Sequence, residues 1–134
     1  MIIKRLTKED IRKESGTFSP TGHIVAGFTN DAVAASAAAA LHKQGFTAEE
    51  VLTYTSAEVI KRLREMVASA SQAAGFGYEI TLMRRYLKLA EAGAGWLIIY
   101  SPDDALTEKV TRIATERKAL CAVHYGRLVN EDLV

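Results

Sequence analysis

The chain is poor in the residues that staple or punctuate small folds. It has one cysteine, Cys121, and two prolines, Pro20 and Pro102, among 134 residues. A single thiol cannot close an intramolecular disulfide, and no long apolar stretch follows the charged Lys4-Arg5, so a cytoplasmic protein is expected rather than a secreted one. Histidine is also scarce. His23, His42 and His124 show no His-x-x-x-His spacing and no Cys-x-x-Cys accompanies them, so no metal site and no cofactor is expected. Excess charge is missing too: 17 Lys and Arg stand against 16 Asp and Glu, for a net charge of +1. So even a balance gives little field to steer the chain toward nucleic acid or anionic lipid, and neither partner is expected. The longest apolar-leaning stretch, residues 32–41, is mostly alanine and far short of a membrane span.

What is present describes a folded domain. Hydrophobic residues make up 49% of the chain and charged residues 25%. A domain of this length buries roughly two-thirds of its unfolded surface, enough for a core without disulfides or metal. Residues 1–22 mix charge with Ser15-Gly16-Thr17, Ser19-Pro20 and Thr21-Gly22 and read as an N-terminal arm. Residues 23–134 read as a single α/β domain.

Four strand candidates and their helices follow from periodicity. His23 to Phe28 is a short apolar strand. Thr29-Asn30-Asp31 then supplies cap chemistry for a helix over residues 31–44 that Gly45 stops. Phe46-Thr47-Ala48-Glu49-Glu50 can close a turn before the alternating strand 51–55, and Thr55 to Glu58 repeats the Thr-x-x-Glu spacing to open another helix. Val59, Ile60, Leu63, Met66 and Val67 form one apolar stripe on it. Gly75-Phe76-Gly77 reads as a joint, and Ile80, Met83, Tyr86, Leu87 and Ala90 restart the stripe as far as Gly93. Trp96 to Tyr100 is the clearest strand. After it, Ser101 is expected to cap a helix, with Pro102 in the first helical position and Asp103 and Asp104 at the positive end of the dipole. A strand over 120–125 completes the pattern.

Two strand-helix-strand units, the second preceded by a helical insertion, predict an α+β fold. The expected form is a ferredoxin-like four-stranded sheet with helices on one face and the insertion between strands 2 and 3. If the helices cover Leu97 and Ile99, alternation sends Trp96, Ile98 and Tyr100 to the opposite face, where Cys121, Val123 and Tyr125 can join them. Such a patch exceeds what a monomer exposes, so cover by the insertion or by a second subunit is expected, and Trp96, Ile98 and Tyr100 are candidate interface residues in a homodimer.

No catalytic residue is assigned. Asp103 and Asp104 serve a helix start, and Cys121 within a strand reads as a small buried residue rather than a nucleophile. The candidate ligand residues are Arg84, Arg85 and Tyr86, where guanidinium forks could hold a carboxylate or phosphate, with His124, Tyr125 and Arg127 near the end of the chain.

His23-Ile24-Val25-Ala26-Gly27-Phe28, the alanine-rich helix and Gly45-Phe46-Thr47-Ala48-Glu49-Glu50-Val51 resemble the opening of the general stress protein domain of small bacterial heat-induced proteins. Leu89-Ala90-Glu91-Ala92-Gly93 and Ala122-Val123-His124-Tyr125-Gly126 are similar to the second half of related bacterial proteins of unassigned activity. The resemblance implies a ferredoxin-like domain with a stress association and offers no established catalytic residues to carry over. The function expected from the sequence is therefore a non-catalytic, self-associating, stress-related or regulatory domain. The alternatives are a small-molecule or anion sensor with its site at the sheet rim or dimer seam, and an enzyme of unknown reaction.

Overall fold

The structure, a computed structural model, describes residues 3–13, 18–70 and 77–134. The expected turn residues Ser15-Gly16-Thr17 and the Gly75-Phe76 part of the joint lie outside the described residues. In chain order the elements are α1 (Lys8–Lys13), β1 (His23–Phe28), α2 (Asp31–Lys43), a 3-10 turn (Ala48–Glu50) and β2 (Val51–Tyr54). There follow α3 (Ser56–Ala70), α4 (Gly77–Glu91), β3 (Gly95–Tyr100), α5 (Asp104–Glu116), β4 (Cys121–Tyr125) and β5 (Asn130–Asp132). The fold is α+β, built on an antiparallel sheet of order β2-β3-β1-β4-β5.

The sheet has five strands where the sequence predicts four. β5 reads Asn-Glu-Asp, with none of the β-branched or aromatic residues that mark a strand. It is recruited by its neighbour: Gly126 N–H donates to Val129 O at 2.9 Å to close the turn, and Val123, His124 and Tyr125 pair with Asp132, Glu131 and Asn130.

Helices occupy both faces. α2 and α5 cover Ile24, Ala26, Phe28, Leu97, Ile99 and Ala122, with Ala34, Ala37 and Ala38 of α2 letting the helix lie close to the sheet. The approach is close enough that a Cβ on Gly95 would stand 2.6 Å from Asp31 Cα. The helices between β2 and β3 cover the other face, where Leu63, Met66, Leu82, Met83 and Tyr86 pack on Val25, Trp96, Ile98, Cys121, Val123 and Tyr125. α1 also joins this layer, with Ile11 buried, and Phe18 is buried against Tyr125, so the N-terminal arm contributes to the core.

The helix boundaries follow local chemistry. Asn30 caps α2 by accepting from Val33 N–H at 2.9 Å, and Gly45, at φ +102°, ends it. Thr55 and Glu58 form a reciprocal capping box at the start of α3, at 2.9 and 3.2 Å. At α5 the expectation is displaced by two residues. Asp103, not Ser101, is the N-cap, accepting from Leu106 N–H at 2.9 Å, so Pro102 precedes the cap instead of opening the helix. Ser101 is buried at the end of β3, where its hydroxyl meets Thr107 Oγ1 at 2.7 Å.

Candidate functional site

β3 is the second strand from one edge of the sheet, and its Trp96 lies directly opposite Tyr54 of β2, with Ile98 opposite Leu52. Directly paired side chains on one face stand about 5 Å apart at Cβ. Trp96 also pairs with Gly27 of β1, where a Cβ would come within 2.8 Å of the indole. The glycine is what allows the large ring to lie flat over the central strand. Tyr86 of α4 meets Trp96 edge to face at 5.2 Å between ring centroids.

Between this sheet face and the helices above it lies a cavity of about 300 Å³. Val25, Trp96 and Ile98 form its floor, and Val59, Leu63 and Met66 of α3, spaced to share one helix face, form a wall with Tyr86. Ile11 and Phe18 close the side formed by the N-terminal arm. The lining is mostly apolar, and the size lies at the lower end of the range of ligand pockets.

The lining also carries polar side chains. Lys8, Arg12, Tyr54, Glu58 and Arg62 all line the cavity. Lys8 Nζ stands 4.5 Å from the Tyr54 ring centroid and donates to Thr53 O at 2.6 Å. Arg62 donates to Ile11 O at 3.4 Å, tying α3 to α1. The backbone N–H of Thr55 holds the Glu58 carboxyl below its ordinary range, while burial, and after it the Glu58 charge, pushes the Tyr54 phenol up to about 12. Tyr54 therefore stays neutral and able to donate. Its Oη and the Trp96 Nε1 are buried and have no hydrogen-bond partner among the described residues. A buried donor without a partner is uncommon; the residues that carry these two atoms both line the cavity, while the atoms themselves have almost no accessible surface.

The candidate residues from the sequence are distributed differently. Tyr86 and Tyr125 come together beneath α4, with their hydroxyls 2.8 Å apart. Arg84 and Arg85 are exposed on α4. His124 lies on the opposite sheet face from Tyr125, as neighbours in a strand must, and its Nε2 meets Ser101 O at 3.0 Å. Arg127 follows β4 in the turn toward β5. Trp96 and Ile98 are 2% and 6% exposed, covered by the chain's own helices, and Tyr100 donates to Ile3 O at 2.7 Å. Lys8, Tyr54, Glu58 and Arg62 were not singled out as site residues by the sequence. The alternation of Leu52 and Tyr54 was the available signal, but only the strand register sets Tyr54 beside Trp96.

Cys121 is buried, and desolvation pushes its thiol up to about 11, which suits packing rather than nucleophilic chemistry. Among the described residues no group of three or more His, Cys, Asp or Glu side chains is gathered to hold a metal ion, and no helix is long and apolar enough to cross a membrane. No family model, curated protein or solved structure matches the chain. Its class is thus defined by its own geometry: an α+β protein with an apolar cavity between one sheet face and a helical layer.

Proposed function

We propose that the chain is a non-catalytic small-molecule binding domain whose site is the cavity over Trp96. The observation that carries this reading is the cavity itself, about 300 Å³ of mostly apolar space over Trp96 and Ile98 with Lys8, Tyr54, Glu58 and Arg62 among its lining residues. A fully packed core would leave no such space, and an apolar compact ligand that enters it gains the contacts its walls now lack. This is the sensor alternative of the sequence analysis, moved from the sheet rim to the interior. The test is titration with small aromatic compounds followed by methyl NMR. Shifts concentrated on Val25, Ile98, Leu63 and Met66, with Ile24, Leu97 and Ile113 on the opposite face unchanged, are expected; no response to any compound would refute the reading.

The order of β2, β3, β1 and β4, with their antiparallel sense and the placement of α2 and α5, supports reading these elements as a ferredoxin-like unit to which β5 and the insertion are added. A self-associating form is favoured by a separate feature. Leu128 and Val129 are 96% and 73% exposed beside the edge strand β5, a pairing that a second copy could cover. Sedimentation of the protein and of a Leu128→Ser, Val129→Ser variant tests it: a dimer lost in the variant is expected, and a monomeric parent excludes it. A stress-related role is carried by the sequence resemblance alone.

A further inference from the structure

We infer that the cavity over Trp96 takes an uncharged ligand about the size of two fused rings and discriminates against molecules that carry a charge of either sign. The inference rests on the binding reading above and adds the charge and the size of the occupant.

The lining divides by burial. Lys8, Arg12 and Glu58 are exposed and Arg62 is half-buried, whereas the buried lining residues, Ile11, Phe18, Leu63, Met66, Trp96 and Ile98 among them, are all apolar or aromatic. The charges belong to the rim, and the walls are hydrocarbon and ring. At the rim each cation stands with a carboxylate. Arg12 pairs with Glu9, and Arg62 reaches Glu65 at 3.9 Å as well as Ile11 O at 3.4 Å. Lys8 adds its charge to the Thr55 hydrogen bonds that hold the Glu58 carboxyl below its ordinary range. Lys13, which also reaches Glu9 at 3.9 Å, is not among the lining residues. Charges paired in this way present little net field to a charged ligand.

Against the walls themselves a charge loses its water without replacement. The Tyr86 hydroxyl meets that of Tyr125 at 2.8 Å, and Tyr54 Oη and Trp96 Nε1 have almost no accessible surface, so these polar atoms are not offered to the cavity. Moving an ion from water onto such a surface is costly, while a neutral ring has no charge to desolvate. Shape and dispersion are what remain to recognise a ligand.

Size follows from the volume. At about 300 Å³ the space is roughly twice the apolar cavity of about 150 Å³ that takes up a single benzene ring. Two fused rings fill it, and one ring leaves much of the wall without contact.

The experiment compares indane, indane-2-carboxylate, 2-aminoindane and benzene at neutral pH. The first three share one ring body and differ in charge, and benzene keeps the neutrality but loses the size. Binding is read by the fluorescence of Trp96, the only tryptophan in the chain, and by the methyl NMR signals of Val25, Leu63 and Ile98. Indane is expected to bind tightest, with the carboxylate and the amine each about tenfold or more weaker. Benzene is expected to bind about tenfold weaker than indane because it buries fewer carbons. If the carboxylate or the amine binds as tightly as indane or tighter, the uncharged class is overturned and the binding site itself stands; in the case of the amine, the ring faces of Trp96 and Tyr86 would be holding a cation. If benzene binds as tightly as indane, the size is overturned. If none of the four perturbs the cavity residues, this inference and the binding reading both fall.

Discussion

At the scale of single residues the unpartnered groups are the most informative. An unsatisfied buried hydroxyl costs roughly 1–3 kcal/mol relative to a satisfied one. Tyr54→Phe should therefore leave the protein as stable as the parent or more stable by up to about 1 kcal/mol in urea denaturation. A hydroxyl that the fold relies on would give the opposite sign, a clear loss of stability. His23 offers a second residue-scale test. Its Nδ1 lies 3.0 Å from Thr21 O, where only a donor is useful, and its Nε2 accepts from Leu6 N–H at 3.1 Å, so the ring is neutral and a proton on Nε2 would displace the arm. Burial lowers its pKa, with a smaller contribution from His124, and the Tyr100 ring packs against it at a tilt, 5.2 Å between centroids. A lowered folded value means that the unfolded chain takes up the proton first. The stabilisation is thus complete above the unfolded pKa of about 6.5 and is lost as pH falls through the lower folded value. The urea midpoint should decline in that window, and a His23→Asn variant should decline less. At this scale the sequence showed that Trp96 and Ile98 share a face, because alternation within one strand is local. It could not show that Tyr54 faces them, because β2 and β3 are joined through two helices and their register is set by packing.

At the scale of elements, short-range chemistry predicted which segments are helices and strands better than it predicted their ends. Asn30, Gly45 and the Thr55–Glu58 box act where the sequence places them. The start of α5 differs because Ser101 is drawn into the core: its N–H donates to Gly22 O, its carbonyl meets His124 Nε2, and its hydroxyl meets Thr107. Those contacts hold Ser101 at the end of β3 and pass the capping role to Asp103. Asp103→Ala should accordingly cost about 1 kcal/mol, the usual value of an N-cap, with the loss located by hydrogen exchange in the first turn of α5. β5 went unseen for the opposite reason. Its residues carry no strand preference, and only the backbone of β4 defines it. α1 is held by Thr7 and Asp10, which cap each other at 3.0 and 3.1 Å, and by Ile11, whose side chain enters the core. Ile11→Ala should destabilise by about 2–3 kcal/mol, near the low end for such truncations, because the site already borders a cavity.

At the scale of the whole molecule the two layers beside the sheet are packed to different standards, and the sequence contains the reason without stating its outcome. α2 is built from alanine and lies so near the sheet that a Cβ on Gly95 would stand 2.6 Å from Asp31 Cα; the opposite layer is built from leucine, methionine and aromatic residues, and the cavity lies there. The same kind of substitution should therefore have opposite effects on the two faces. Ala37→Leu, beneath α2, has no room for its added carbons and should cost about 1–3 kcal/mol or more. Val59→Phe, on the cavity wall, can place its ring in empty space and should stabilise the ligand-free protein by about 1 kcal/mol, raising Tm by a few degrees. Because the filled space is the proposed site, that variant should also lose the binding of small aromatic compounds, so its gain in stability accompanies a loss of function. Thermal unfolding of both variants, beside a binding titration of Val59→Phe, checks the contrast. If Val59→Phe destabilised the chain as Ala37→Leu does, or kept full binding, the cavity would not be the space the ligand uses.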